Sequence, residues 1–465
     1  MAETCFVGCT PGLEQALAEE LEALGVRATV TTGGCDVTGP EGSFVRLNVQ
    51  SRLASRVLLR LGHARAPAAL GGVPVRRLVG ASELTLAVTA VGRVTPAPEV
   101  WRREAARAWG LVAPASAGRG SGGAGPEVRG VAVRAEGAAA MAGRRGAGRS
   151  GEGQAVRPGG PGRGEAVRME GARSPAGAPA PGGSARSTAL APSAGGLDEA
   201  SGGGGPETGL DEGALRVAPA RAGRDASAAD ELPGPLEVSL RLDASGALVS
   251  VDTSGALLYL RGARQETGKA PLRETLAAGV LRLCGWAPPE PLWDVMCGSG
   301  TLVLEAAEQA LGLQPGRQRT FAFERFAEPR AEVLARVREK GPAVPTWIRG
   351  SDLNAGALGV ARRNARRAGV LEAVQLERLD ATALRPPATP PGLVLANLPY
   401  GKRVGSRFEL AALYARLGRA LKQALPGWRF GFLLQDGVDV LGLEVTRSVP
   451  VKNGGLSCLL VTGRL

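Results

Sequence analysis

A chain of 465 residues with a formal net charge of +12 has room for two or three domains and favours a polyanionic partner, of which nucleic acid is the commonest. Its one histidine, His63, sits among Ala, Arg and Pro and reads as a surface residue, which disfavours a Ser-His-Asp triad, a two-His metal centre and a histidine proton shuttle. The six cysteines (Cys5, Cys9, Cys35, Cys284, Cys297, Cys458) form no CxxC pair, no apolar run reaches the ~18 residues of a membrane span, and no basic leader opens the chain, so a cytoplasmic protein with no metal and no membrane partner is expected.

In chain order, residues 11–25 (PGLEQALAEELEALG) predict an amphipathic helix, with Leu13, Leu17, Leu21 and Leu24 on one face and Gly25 as its stop. Residues 44–49 read as a short strand. Residues 51–61 (SRLASRVLLRL) read as a helix carrying Arg52, Arg56 and Arg60 on one face, and residues 83–91 alternate at period two, as a half-buried strand does. Across 113–235 Gly, Ala, Pro, Ser and Arg dominate and bulky apolar residues nearly vanish. Such a stretch buries too little surface to offset its ordering entropy, so a disordered insertion is expected there. Order resumes with two alternating runs, 236–242 and 247–255, a β-hairpin by spacing, then a helix over 274–284. From residue 291 strands and helices alternate to the end, which argues for a mostly parallel sheet.

The chemistry concentrates in that last part. In PLWDVMCGSGTLVLEAA (291–307) a short apolar run ends in Asp294, passes a turn of Cys297, Gly298, Ser299 and Gly300, and enters a helix at Thr301. Glycines there let a backbone approach a ligand at the carboxyl end of a strand. The turn is neither a GxGxxG fingerprint nor a P-loop, so NAD and ATP are disfavoured. Asp352, followed by Leu353, ends a second candidate strand, where an acid can accept from two ribose hydroxyls. Asp380, followed by Ala381, ends a third, where it can accept from an adenine amine. A helix cap for Asp352 and a turn acid for Asp380 are the alternatives. The last motif is GLVLANLPYGKRVG (392–405). The amine of a base is a poor nucleophile because its lone pair is delocalised. Asn397 and the Leu398 carbonyl can accept its N–H groups, Pro399 stiffens the turn, and Tyr400 can stack on an extruded base.

These residues resemble the class I methyltransferases with an Asn-Pro-Pro-Tyr-like catalytic loop. APLRETLAAGVL (270–281), VSVDTSGALLYLRGAR (249–264), FVGCTPGLEQALAEELEALGV (6–26), LNVQSRLASRVLLRL (47–61) and KNGGLSC (452–458) look like segments of the THUMP-containing RNA guanine-N2 methyltransferases, the family of the large-subunit ribosomal RNA enzyme. The resemblance implies an α/β chain with a Rossmann-like seven-stranded class I methyltransferase domain at 266–465. Before it would lie an α+β ferredoxin-like, THUMP-containing RNA-binding region at 1–112 and 236–265, split by the insertion. It implies S-adenosylmethionine as cofactor and RNA as partner, with N2 of a guanine as the acceptor. Leu398 stands where the family commonly has Pro, as in transfer-RNA members, so transfer RNA stays open beside ribosomal RNA. An adenine-N6 methyltransferase and a non-enzymatic RNA-binding assembly factor are the further alternatives.

Overall fold

A computed structural model describes residues 2–92, 94–111, 235–266, 272–328, 330–399, 407–435, 439–454 and 456–465. The expected insertion at 113–235 lies outside these apart from Pro235, and Tyr400 lies outside them too. The described residues form two seven-stranded sheets.

The first sheet is built from β1 (Glu3–Gly8), α1 (Glu14–Ala23), β2 (Arg27–Thr31), β3 (Gly34–Gly39), α2 (Ser43–Gln50), β4 (Arg56–Ala64), α3 (Val75–Val79), β5 (Leu84–Ala90), α4 (Pro98–Trp109), β6 (Leu236–Asp243) and β7 (Gly246–Asp252). Its strands lie in the order β2-β3-β1-β4-β7-β6-β5. Only β5 and β6 pair in parallel, with Leu84 opposite Leu236; the other neighbours are antiparallel. A parallel pair needs a crossover. The helix α4 lies in that connection and buries Trp101, Ala105 and Trp109, one face at helical spacing. On α1, Leu17 and Leu21 are fully buried, and the helix ends at Gly25 with φ +83°.

Two expectations exchange places. Residues 44–49, read as a strand, belong to the helix α2, which starts after Gly42 at φ +83° and buries Phe44, Val45, Asn48 and Val49. Residues 51–61, read as a helix, turn at Ser51 and run as the strand β4 from Arg56. Leu53, Val57, Leu58 and Leu61 fit a helix, yet Val57 and Leu59 fit a strand equally well. Pairing with β1 and β7, invisible locally, decides for the strand. Arg56 and Arg60 therefore share a strand face, while Arg52 lies before the strand.

The second sheet follows with α5 (Glu274–Leu283), β8 (Leu292–Asp294), α6 (Thr301–Ala310), α7 (Ala331–Val337), β9 (Ile348–Asp352), α8 (Ala355–Ala368), β10 (Gln375–Arg378), β11 (Leu393–Asn397), α9 (Arg407–Ala424), β12 (Arg429–Leu434), β13 (Val445–Asn453) and β14 (Leu456–Arg464). Its order is β10-β9-β8-β11-β12-β14-β13. The first five are parallel, and β14 and β13 close the edge antiparallel. Strand order reverses between β8 and β11, which opens a crevice at the carboxyl ends of the central strands. A central parallel strand is covered on both faces. Accordingly Leu393, Val394, Leu395 and Ala396 of β11 are all buried.

The two sheets share packing. Leu13, at the entry to α1, is fully buried among Leu276, Val280 and Val451 of the second sheet's core. A Cβ on Gly279 of α5 would come within 2.5 Å of Leu13 Cδ1, and one on Gly12 would collide with the Pro450 carbonyl. No described helix is long and apolar enough to cross a membrane.

Candidate active site

Three strand ends meet at the crevice. Asp294 closes β8, with its carboxylate buried and Oδ1 accepting the Met296 N–H at 3.1 Å. Burial, and then the neighbouring Asp352, push the Asp294 carboxyl up to about 8. The same surroundings push the Cys297 thiol well above its ordinary value, chiefly through burial, so it is an inert wall rather than a nucleophile.

The turn that follows is pinned at both ends. The Cys297 N–H donates to the Ser351 carbonyl at 2.9 Å and the Gly300 N–H to the Cys297 carbonyl at 2.8 Å. Gly298 (φ +53°) and Gly300 (φ +89°) take backbone conformations that side chains resist. A Cβ on Gly298 would meet nothing within 4 Å, so that side of the turn is open, whereas one on Gly300 would press on Leu304 and Ala361.

Asp352 ends β9 and ties two loops together. Its Oδ2 accepts the Gly298 N–H and its Oδ1 the Asn354 N–H, both at 2.8 Å. The cap of α8 is Asn354, whose Oδ1 accepts from Gly356 and Ala357. Asn397 ends β11 beside β8, and its Oδ1 is buried with no hydrogen-bond partner among the described residues. A buried amide oxygen left unpaired costs free energy, so it marks a place where a donor is expected.

Together these groups wall a cavity of about 550 Å³, lined by Leu272, Asp294, Met296, Cys297, Gly298, Ser299, Thr301, Leu302, Asp352, Asn354, Gly356, Ala357, Val360 and Asn397. Of the expected site residues, Gly300, Leu353, Asp380, Ala381, Leu398 and Pro399 are not in that wall. Gly300 shapes the turn from behind. Asp380 Oδ1 accepts from the backbone and hydroxyl of Thr382, each at 2.8 Å, and Ala381 is buried in the core beside Trp293. Leu353 is 59% exposed. Leu398 is buried and donates its N–H to the Leu433 carbonyl, while the Pro399 carbonyl accepts the Tyr414 hydroxyl at 2.8 Å, so α9 holds the loop after Asn397. Sequence reasoning missed Asn354 and Gly356 as wall residues; an Asn followed at once by a helix was the available signal. Three arginines of α8 are engaged within the fold. Arg363 and Arg367 grip Glu266 and hold its carboxyl down to about 2, and Arg362 bonds the Leu376 carbonyl.

Residues 261–462 match the family model described as RMKL-like, methyltransferase domain, and residues 4–58 match that of the RlmL ferredoxin-like domain. The ribosomal RNA large subunit methyltransferase K/L of Psychromonas ingrahamii is 36% identical over 271 residues, which cover 54% of this chain and 36% of that protein. The match thus spans about a third of that relative's length. Two solved structures align over nearly the whole chain. SMU.472, assigned as a methyltransferase and complexed with SAH, has a TM-score of 0.65 at 19% identity, covering 99% of this chain and 97% of that one. A Listeria monocytogenes chain described as an N6-adenine-specific DNA methylase has a TM-score of 0.66 at 19% identity, covering 99% and 96%. At such identities the likeness is one of fold, and it agrees with the class I strand order seen here. Residues 261–462 are thus similar to an RMKL-like methyltransferase domain, and residues 4–58 to an RlmL ferredoxin-like domain.

Proposed function

We propose that this chain is an S-adenosylmethionine-dependent methyltransferase acting on the exocyclic N2 amine of a guanine in ribosomal RNA. The observation that carries the reading is the buried, unpaired Asn397 Oδ1 in the wall of a cavity that also holds a glycine turn and two strand-end carboxylates. The name of the Psychromonas relative supports the ribosomal substrate, and the net charge of +12 suits a phosphate-rich partner.

The residues present fit the cofactor. The cavity has the size that small-molecule sites have, and Gly298 leaves backbone open to it. Asp294, Asp352 and the 297–300 turn would hold it. When bound, it supplies a methyl group already activated by a sulfonium. What the protein must add is modest. Asn397 Oδ1 accepts one N–H of the target amine and turns the nitrogen lone pair toward the methyl. Pro399, fastened to Tyr414, keeps that loop rigid. The amine proton becomes acidic only once the new bond forms, so no strong base is required, which suits a chain with a single histidine at its surface.

The test is methyl transfer from labelled S-adenosylmethionine to separate pools of unmodified ribosomal RNA, transfer RNA and DNA, with nucleoside analysis of the product. Label in N2-methylguanosine of ribosomal RNA is the expected result. The same nucleoside in transfer RNA would move the substrate, and label in N6-methyladenine would overturn the acceptor.

A further inference from the structure

Two glutamates on α6 are buried away from the cavity and serve no step described above. Their carboxylates meet three arginines drawn from separate parts of the chain. Arg52, from the turn before β4, donates to Glu305 Oε1 at 2.8 Å and to the Leu313 carbonyl. Arg261, from the segment joining the two sheets, donates to Glu305 Oε2, lies 3.5 Å from Glu308, and caps the Arg52 carbonyl at 3.0 Å. Arg317 donates to Glu308 at 2.9 Å and to the Ala368 carbonyl at the end of α8. Side-chain exposure is 2% for Glu305 and 4% for Arg261. Burial pushes the Glu305 carboxyl up, but Arg261 and Arg52 outweigh it and hold it below the ordinary range.

Desolvating such a cluster costs about as much as its attraction returns, so its contribution to stability is small beside an apolar core; what it fixes is geometry. The geometry fixed here is that of the cavity. The helix α6 begins at Thr301, immediately after the glycine turn, and Glu305 lies about 6 Å along its axis from that start. The Arg52 backbone is itself anchored, its N–H donating at 2.8 Å to Glu20 of α1. Three residues past Arg261, Arg264 bonds the carbonyl of Leu272, a cavity wall residue, and pairs with Glu274 at 3.0 Å.

We propose that Arg52 is a positioning residue by which the ferredoxin-like domain sets the pose of α6, and with it the glycine turn, so that cofactor affinity depends on a side chain outside the methyltransferase domain. This rests on the cofactor reading given above. Because coupling is reciprocal, nucleic acid that shifts the 51–53 turn alters cofactor affinity by the same factor as cofactor alters its binding.

The experiment is calorimetric titration of the full chain with S-adenosylhomocysteine, together with steady-state kinetics, for the wild type, Arg52→Met and Arg52→Lys. The expected result is a roughly fivefold to thirtyfold weaker affinity and higher cofactor KM for Arg52→Met, kcat at saturating cofactor within about twofold, and Arg52→Lys in between. A wild type that binds beside an Arg52→Met that binds equally well overturns the proposal and leaves the cofactor reading intact. A wild type that fails to bind overturns both. Should Arg52→Met not fold, Arg52→Lys decides, since it keeps the charge and loses the forked contact; unchanged affinity in it overturns the proposal.

Discussion

The residue that most directly controls chemistry in this reading is Asn397. Its oxygen is buried with no partner among the described residues, so its removal leaves the fold unstrained while the target amine loses its acceptor. Asn397→Ala is expected to lower kcat by roughly 100- to 1,000-fold and to change S-adenosylhomocysteine affinity by less than about threefold. Kinetics and calorimetry on one preparation check both, and intact turnover would remove Asn397 from its role. Asp294 makes a second prediction, concerning pH. Its folded value is raised to about 8 from an ordinary 3.8, so the folded state keeps a proton that the unfolded chain has lost. This group's contribution to stability is therefore complete below about pH 4 and falls as pH rises toward 8. A cationic ligand beside it reverses the preference and expels the proton. Cofactor binding should tighten from pH 6 to 8 with proton release, visible as a dependence of binding heat on buffer ionisation enthalpy. Asp294→Asn should abolish that dependence.

At the level of elements, the glycine turn and α6 act as one piece. Gly300→Ala places a Cβ at φ +89°, 2.8 Å from Leu304 Cδ1 and 3.2 Å from Ala361. It should lower stability by about 1–3 kcal/mol and weaken cofactor binding. Gly369→Ala, at φ +71° with nothing within 4 Å, carries similar strain at the end of α8 without a clash. It should cost about 1 kcal/mol and leave binding alone. Thermal unfolding and titration of the pair separate strain from displacement. These elements were legible in the sequence for local reasons. A residue without a Cβ, or an acid at the end of an apolar run, is written in a few adjacent letters, as at Gly298, Asp294 and Asp352. The identities of α2 and β4 were not so written. The apolar residues of 51–61 satisfy both periods, and the strand wins through partners far away in sequence on β1 and β7. Asp380, by contrast, is not in the cavity wall, and its Oδ1 accepts from Thr382, only two residues on.

For the whole molecule, the sequence pointed to a long interruption and to the return of order at residue 236, but not to the strand with which the returning segment pairs, because strand pairing is non-local. The chain leaves after α4 and returns as β6, seven residues of which pair in parallel with β5, from Leu84 opposite Leu236 to Ala90 opposite Leu242. The crossover helix α4 already belongs to the part before residue 112. Joining Leu111 to Pro235 through about ten Gly and Ser residues should thus keep the fold, with the S-adenosylhomocysteine affinity within about twofold. Loop-closure entropy changes by only ~0.6 kcal/mol per doubling of length, so the shortened chain should also melt slightly higher. Loss of binding in a folded shortened chain would show that residues 112–234 contribute to the site.

That β5–β6 seam also makes the molecule divisible. Residues 1–111 and 235–465 each bring one edge of a seven-rung backbone ladder, and Leu13 of the first piece fits an apolar socket near Gly279 in the second. Two separately translated polypeptides should therefore find each other and restore cofactor binding, making this chain a natural candidate for a split reporter whose halves are joined by sheet completion rather than by an added dimeriser.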